Sequence, residues 1–515
     1  MGASICSIAL HLWNTPFAED DAFIHIRAAK NLWLAGAPFF NTATPCLSST
    51  SVLWFLLIAP TTMLGEMQLP GIATINGLLS VLASLMVAKL SARIFPSLPS
   101  WTGTLTAILT YCCLLPSSLA LMESSFATTM TSLAVLLLLS KTTLWSALIV
   151  LLPLTRPELL VVIPVALAYR ALHRSSFITK RAIEWVAPVI IAALVAYLYI
   201  ATFGAVLPQS MLAKQVVYQL SYNEFIKGFV TALSGGIGGA MFAPAWIITS
   251  ALLLIAIVFT THEKSRPSGK ILTASMATLC IPILITLGYA IRCVLVFPWY
   301  APLLTVPTVI ALTPLLKGGA IPRFFFTVLF APQLCAALLS ALTPTLTSYS
   351  PLAPSGARAF TLREIGAALS NVSPTVTIVA PEIGALGMSF PGEIIDAVGL
   401  ATPHSITYHP LKVPEQRRGG YLGAVPPQLV RDLNPDLVVG LPSLMEALMQ
   451  DPIIADYREI RIPIISPASH DTSRVLTVWG NTHITVLVRT HRYHEIARAL
   501  QSAAIIADSS PPLTS

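Results

Sequence analysis

Apolar residues in this chain come in long runs that stop well before its end. After a polar, turn-rich stretch at Pro38–Ser51 they fall at Val52–Leu64, Ile72–Leu90, Thr102–Leu121, Phe126–Leu139, Leu144–Leu154, Leu159–Tyr169, Ala187–Phe203, Ala245–Thr261, Ile271–Ile291, Ala301–Leu316 and Phe325–Leu342. A bilayer-crossing helix takes roughly 20 apolar residues, so these runs predict roughly ten to twelve membrane segments, the shorter ones as half-helices or re-entrant pieces. From residue 346 the pattern changes. Proline-rich Ser350–Ser355 reads as a linker and Ala359–Leu369 as an amphipathic helix. Thr375–Ala380 and Asp436–Gly440 read as short strands, and Val475–Trp479 with Ile484–Arg489 as a hairpin around Gly480-Asn481. The expected fold is mainly α, a polytopic membrane helical bundle over 1–345 followed by a small α/β domain in water over 346–515.

One polar stretch interrupts this scheme near the start. Glu19, Asp20 and Asp21 are consecutive carboxylates, and an amphipathic run to Leu32 follows them. As a helix, the 3.6-residue period sets Asp20, Arg27 and Asn31 on one face and Ala22, Ile26, Ala29 and Trp33 on another. The first face suits water and chemistry, the second a membrane surface.

Composition agrees with the membrane reading. Of 515 residues, 55% are hydrophobic and only 10% charged, and the mean hydropathy is +0.75. The net charge of +7 does not point to nucleic acid, because the basic residues sit in short clusters between apolar runs, as in cytoplasmic loops. Three clusters (Arg170, Arg174, Lys180 and Arg181; Lys264, Arg266 and Lys270; Lys317 and Arg323) are separated by even numbers of spans. Placing them in the cytoplasm puts everything after about residue 345 outside, in a cell membrane, with Glu123 and Arg156 also on the outer side. Glu123 keeps that side only if Thr102–Leu121, with Pro116 inside it, re-enters rather than crosses. The seven cysteines show no metal-ligand spacing, and none follows residue 345. Met1–Trp13 lacks the features of a cleavable signal and is short for a span, so it reads as a stub or as a piece of a longer first helix.

The candidate chemistry lies at the ends of segments. Asp20 or Asp21 can serve as a general base toward a hydroxyl, since paired acids push one proton affinity upward. Glu19, Asp20 and Asp21 also offer oxygen ligands for a divalent metal. Lys214, Arg27 and Arg156 are candidate donors to a phosphate at the membrane surface, and Arg156 can equally pair with Glu158. Gly384, Gly387 and Gly392 do not form a dinucleotide fingerprint, and His491 and His494 read as surface residues.

Several of these motifs resemble one family in order. Asp20-Asp21-Ala22-Phe23-Ile24 with Arg27, Asn31, Gly36 and Phe40-Asn41 resembles the first outer loop of the polytopic GT-C glycosyltransferases, and is most similar to the group containing the mycobacterial terminal arabinofuranosyltransferase. Met122-Glu123-Ser124 resembles that group's Gly-Met-Glu-Thr, Thr155-Arg156-Pro157-Glu158 its Thr-Arg-Pro-Glu-Gly, and Phe203-Gly204 through Pro208 to Ala213-Lys214 its Tyr-Gly-x-x-x-Pro-Asn-x-x-x-Ala-Lys. Ala380 to Gly387 and Ile395 to Leu400 resemble the start of its soluble domain. Two departures stand out: Leu47-Ser48-Ser49-Thr50-Ser51 replaces the group's Glu-Gly-Tyr-Thr-Ser, and Leu159 replaces its glycine.

The resemblance implies transfer of a sugar from a polyprenyl-phosphate carrier to a glycan, lipid or protein hydroxyl on the outer face. It implies Asp20 or Asp21 as base, Glu19, Glu123 and Glu158 lining the cavity, and Arg27, Arg156 and Lys214 on the donor phosphate. The competing class is a lipid or solute transporter with an outer gating domain, which predicts inverted repeats and midplane ionisable groups.

Overall fold

A computed structural model describes residues 2–140, 142–172, 182–217, 220–233, 269–294, 296–313, 352–372, 375–411, 425–464 and 476–503. The apolar runs expected at 245–261 and 325–342 lie outside these residues. So do the basic clusters, apart from Arg170 and Lys270. The protein is mainly helical, with one small sheet near its C-terminal end.

The helices of the first part are α1 (Gly2–Asn14), α2 (Asp20–Ala35), α3 (Val52–Ile58), α4 (Gln68–Ile94), α5 (Ser100–Leu119), α6 (Ser124–Leu139), α7 (Leu144–Leu151), α8 (Val162–Leu172), α9 (Ala182–Phe203), α10 (Gln209–Val217), α11 (Tyr222–Leu233), α12 (Gly269–Arg292) and α13 (Ala301–Leu312). Among the described residues three stretches are long and apolar enough to cross a membrane: Val52–Ile94, Ser100–Leu119 and Val186–Phe203. The last is the most outward-facing, with Val189, Ile190, Leu194, Leu198 and Ile200 exposed. Such a stripe of large aliphatic side chains is stable in lipid and costly in water.

The first stretch contains a reversal. Gly65 (φ 56°, ψ −121°) breaks the helical path within the 3-10 segment Ala59–Met67, which leads into α4. A side chain on Gly71 would meet Thr61 and Leu64, so the chain doubles back there. Helix α5, by contrast, runs unbroken through Pro116. Asn76, early in α4, donates to the carbonyls of Ser118 and Met122 at the end of α5, and Thr106 near the start of α5 meets Thr313 after α13 at 3.5 Å. The ends of α5 therefore lie at opposite ends of the bundle. The interruption expected at Pro116 is absent, and α5 is long and apolar enough to cross a membrane; Glu123, just beyond it, lies beside the acidic stretch through His25.

The second part holds α14 (Leu352–Leu369), β1 (Ile378–Ala380), α15 (Gly384–Ser389), β2 (Ile394–Asp396), α16 (Pro427–Leu433), β3 (Leu437–Gly440), α17 (Pro442–Met449), β4 (Tyr457–Pro463), β5 (His483–Arg489) and α18 (Tyr493–Ser502). The sheet order is β2-β1-β3-β5-β4; β1 is parallel to β2 and β3, and β5 is antiparallel to β3 and β4. Three expectations change. Residues 352–355, read as linker, begin α14. That helix is buried on several sides (Gly356, Ala357, Ala359, Leu362, Ile365) rather than amphipathic. The hairpin turn at Trp479-Gly480 is present, both residues having positive φ, but β5 pairs with Tyr457–Pro463 and leaves only a Val478–Asn481 bridge.

The two parts meet at α2. Its last turn ends where Gly36 takes a left-handed conformation. Asp20, Arg27 and Asn31 do share a face, but Asp20 and Arg27 pack against the second part and not water. Asp20 accepts from the amides of Gly384 (3.2 Å) and Ala385 (2.8 Å). Arg27 donates to the carbonyls of Phe40, Gly387, Phe390 and Gly392 at 2.6–3.0 Å. Glycine is required at 384 and 387, where a side chain would collide with the Asp20 backbone and the Arg27 guanidinium. On the opposite face Ala22, Ile26 and Ala29 are buried in the same core, while Trp33, expected on that face, is exposed, so most of α2 is embedded in protein.

Beside this contact three carboxylates face one guanidinium. Arg358 on α14 binds Glu19 at 2.6 Å and Glu382 at 2.9 Å, under the Trp479 ring. Burial pushes the Glu382 carboxyl up to about 7 and that of Asp20 up to about 6, against the pull of Arg358. The folded protein therefore holds protons that the unfolded chain releases. The stability they confer is complete in acid and is lost as pH rises through about 6–7. Thermal unfolding measured from about pH 5 to about pH 8 is expected to show a falling Tm, and Glu382→Gln to flatten much of that slope. Identical slopes in the two proteins contradict the assignment.

Candidate active site

Asp21 stands in the first turn of α2 and points the other way from Asp20. It lines a small pocket with His25, Ser48, Thr50, Met122, Glu123, Arg156, Ser210, Lys214, Trp299, Tyr300 and Leu400. Six separate stretches of the first part contribute, and Leu400 comes from the second. Lys214 on α10 places Nζ 3.5 Å from Asp21 Oδ2 and donates to the Tyr300 hydroxyl at 3.1 Å. Both Asp21 and Lys214 keep solvent access, with side chains 25% and 12% exposed. A carboxylate and an ammonium therefore face one small space without being sealed against each other.

The rest of the wall is a buried ion network. Arg156, in extended backbone between two 3-10 turns, donates Nη1 to Glu123 Oε1 at 2.6 Å. Its Nε and Nη2 grip Glu158 at 3.1 and 2.9 Å. Its guanidinium lies 4.2 Å over the Tyr300 ring, and Tyr289 donates to Glu158 at 2.6 Å. Glu123 Oε2 is buried with no hydrogen-bond partner among the described residues, and sits 3.6 Å from His25 Nε2. His25 Nδ1 pairs with Ser49 Oγ at 2.7 Å, and burial holds the imidazole below its usual proton affinity.

An apolar cleft of about 1030 Å³ adjoins this pocket and shares Thr50, Lys214 and Tyr300 with it. Its other walls include Leu160, Val161, Met211, Leu284, Ile285 and Val294, with Glu158, Tyr289 and Arg292 at the polar edge. The pocket and the cleft thus share a wall.

Of the residues singled out in the sequence, Asp21, Glu123, Arg156 and Lys214 meet in the pocket, and Glu158 lines the cleft. The other three do not arrive. Asp20 is turned onto the Gly384 and Ala385 amides, and Glu19 onto Arg358. Arg27 is buried away from the pocket and spends four of its five N–H donors on carbonyls. Glu19, Asp20 and Asp21 diverge to separate partners, so they do not converge on a common metal position. No group of three or more metal-ligating side chains is found among the described residues. His25, Thr50, Tyr289, Tyr300 and Leu400 were missed; Phe297-Pro298-Trp299-Tyr300 was the readable signal, an aromatic run of the kind that anchors at membrane interfaces. His491 and His494 are exposed, as expected. Comparison with known protein families and with curated proteins finds no match for this chain.

Removing Arg156 leaves two buried carboxylates uncompensated, which costs about 3–5 kcal/mol when one partner of a buried pair is lost. Arg156→Met is expected to lower unfolding stability by that order, and the triple variant with Glu123→Gln and Glu158→Gln to regain part of it. Denaturant titration in detergent reads this directly, and a loss below about 1 kcal/mol for Arg156→Met contradicts the network.

Proposed function

We propose that this protein is an integral membrane glycosyltransferase of GT-C type, taking a sugar from a polyprenyl-phosphate carrier to a hydroxyl acceptor. The site lies at the membrane face that carries the C-terminal unit, the outer face by the basic-loop assignment. One observation carries the reading: the Asp21 pocket and the apolar cleft lie side by side and share Thr50, Lys214 and Tyr300 as lining. A polyprenyl-phosphate sugar has the same order of chemistry, with an apolar chain, an anionic joint and a polar head. The cleft takes the chain, Lys214 faces the phosphate, and the sugar enters the pocket.

In the reaction the acceptor oxygen bonds to the anomeric carbon and the bond from that carbon to the phosphate oxygen breaks. Asp21 takes the hydroxyl proton, and the carrier phosphate leaves with the electron pair. Lys214 stabilises the charge gained by the leaving phosphate in a site with little water. Arg156 acts differently from Lys214: its charge is already matched by Glu123 and Glu158, so it holds the wall in shape. Asp20 secures the joint between the two parts.

The test is transfer by purified protein in lipid vesicles from a panel of radiolabelled polyprenyl-phosphate sugars. Asp21→Asn is expected to lower transfer about 10²–10⁴-fold, the range for a lost general base. Lys214→Met is expected to lower it at least about tenfold. Asp20→Asn is expected to act through folded yield. A wild type that consumes no donor, or an Asp21→Asn protein as active as wild type, overturns the reading. Solute or lipid moving across the vesicle without sugar transfer favours the transporter instead.

A further inference from the structure

The Asp21 pocket is incomplete without the C-terminal unit. Its Leu400 closes part of the wall and is only 6% exposed. The segment that carries it follows β2, where Asp396 accepts from the amides of Val398 (2.9 Å) and Ala401 (2.8 Å). The Asp396 amide donates to Thr402 Oγ1 at 3.0 Å, and Gly399 turns with φ 89°. The carboxylate thus folds residues 396–402 into a tight loop with Leu400 at its far side.

That loop and the strand before it are fastened to the first part at three points. Gln209 on α10 donates its side-chain amide to the Gly399 carbonyl at 3.1 Å, while its backbone amide donates to Leu47 at 2.9 Å. Cys46 Sγ lies 3.7 Å from the Leu400 carbonyl. Asn41 exchanges a pair of hydrogen bonds with the backbone of Ile394, at 2.8 and 3.2 Å. The carboxyl ends of β1 and β2 both face this junction, the edge at which open sheets with parallel strands place ligands.

We infer that the C-terminal unit selects the acceptor, with Leu400 as the side chain that limits the size of the hydroxyl-bearing group reaching Asp21. This rests on the glycosyl-transfer reading above. The donor approaches through the cleft, whose shared residues are Thr50, Lys214 and Tyr300, and Leu400 is not among the residues lining that cleft. What meets Leu400 is therefore the partner entering from the water-side unit. Leu400 is apolar and presents no hydrogen-bonding atom of its side chain to the pocket. Its discrimination is by shape: a smaller residue admits a bulkier acceptor, and a larger one excludes it.

The experiment sets an alkyl monosaccharide against an alkyl disaccharide as competing acceptors, with the donor found in the panel. Wild type, Leu400→Ala, Leu400→Phe and Leu400→Met are compared in vesicles, with donor hydrolysis in the absence of acceptor followed in parallel. One apolar group in a pocket discriminates by about 10–200-fold, so Leu400→Ala is expected to raise the disaccharide-to-monosaccharide ratio at least about tenfold. Leu400→Phe is expected to lower it, and Leu400→Met to stay close to wild type. Should Leu400→Ala not fold, Leu400→Phe against Leu400→Met decides. An active wild type whose ratio is unchanged in folded Leu400→Ala and Leu400→Phe overturns the role of Leu400 alone. A wild type that neither hydrolyses nor transfers any donor overturns the glycosyl-transfer reading, and the selection role with it.

Discussion

Everything in this protein that concerns chemistry depends on how α2 is held. A helix of short length, flanked by loops, is fixed in place because two of its charged side chains end on backbone groups of a segment more than three hundred residues away in sequence. Arg27 satisfies carbonyls at the end of α15, and Asp20 satisfies amides at its start. Hydrogen bonds to a charged group are worth about 1.5–3 kcal/mol each, and leaving such groups buried and unpaired costs as much. Because neither side chain is free to leave, the direction of the neighbouring Asp21 is set as well. One residue further along the helix, a carboxylate faces the opposite side and lines the pocket.

The pocket itself divides its charges into two kinds. Glu123, Arg156 and Glu158 compensate one another inside the wall, where a lone charge is unaffordable. Asp21 and Lys214 pair at 3.5 Å and keep partial access to solvent, with side chains 25% and 12% exposed, so a ligand can reach both. In the proposed reaction only this second pair changes its interactions as charge moves from acceptor to leaving group. The first keeps the cavity from collapsing or flooding while that happens.

Much of this was legible in the sequence at the level of local pattern. The helix at Asp20, its faces, the apolar runs and the β1 and β3 strands all follow from periodicity and turn residues. The pocket members Asp21, Glu123, Arg156 and Lys214 stood out as charges at the ends of apolar runs. What periodicity does not contain is the partner of each face. Asp20 and Asp21 are adjacent and chemically identical, and only the docking of α15 separates a structural carboxylate from a pocket one. Arg27 was read as a phosphate donor because its four carbonyl partners come from distant segments. The break between the runs Val52–Leu64 and Ile72–Leu90 was legible, and Gly65 lies in it; the direction the chain takes beyond it is not written in the apolar pattern. The pairing of β5 with β4 lay beyond the local turn signal at Trp479-Gly480, since register depends on which strand is nearest in space.

The most direct measurement is photo-crosslinking with a polyprenyl phosphate that carries a diazirine on its isoprenoid chain, followed by mass spectrometry of the labelled peptides. Labels on residues 157–161 and 284–294, lost when excess unlabelled polyprenyl phosphate is present, are the predicted result, because these segments wall the cleft that shares Lys214 with the Asp21 pocket. Competable labelling confined to surfaces away from that cleft contradicts the adjoining pocket and cleft as the seat of a lipid-carried donor.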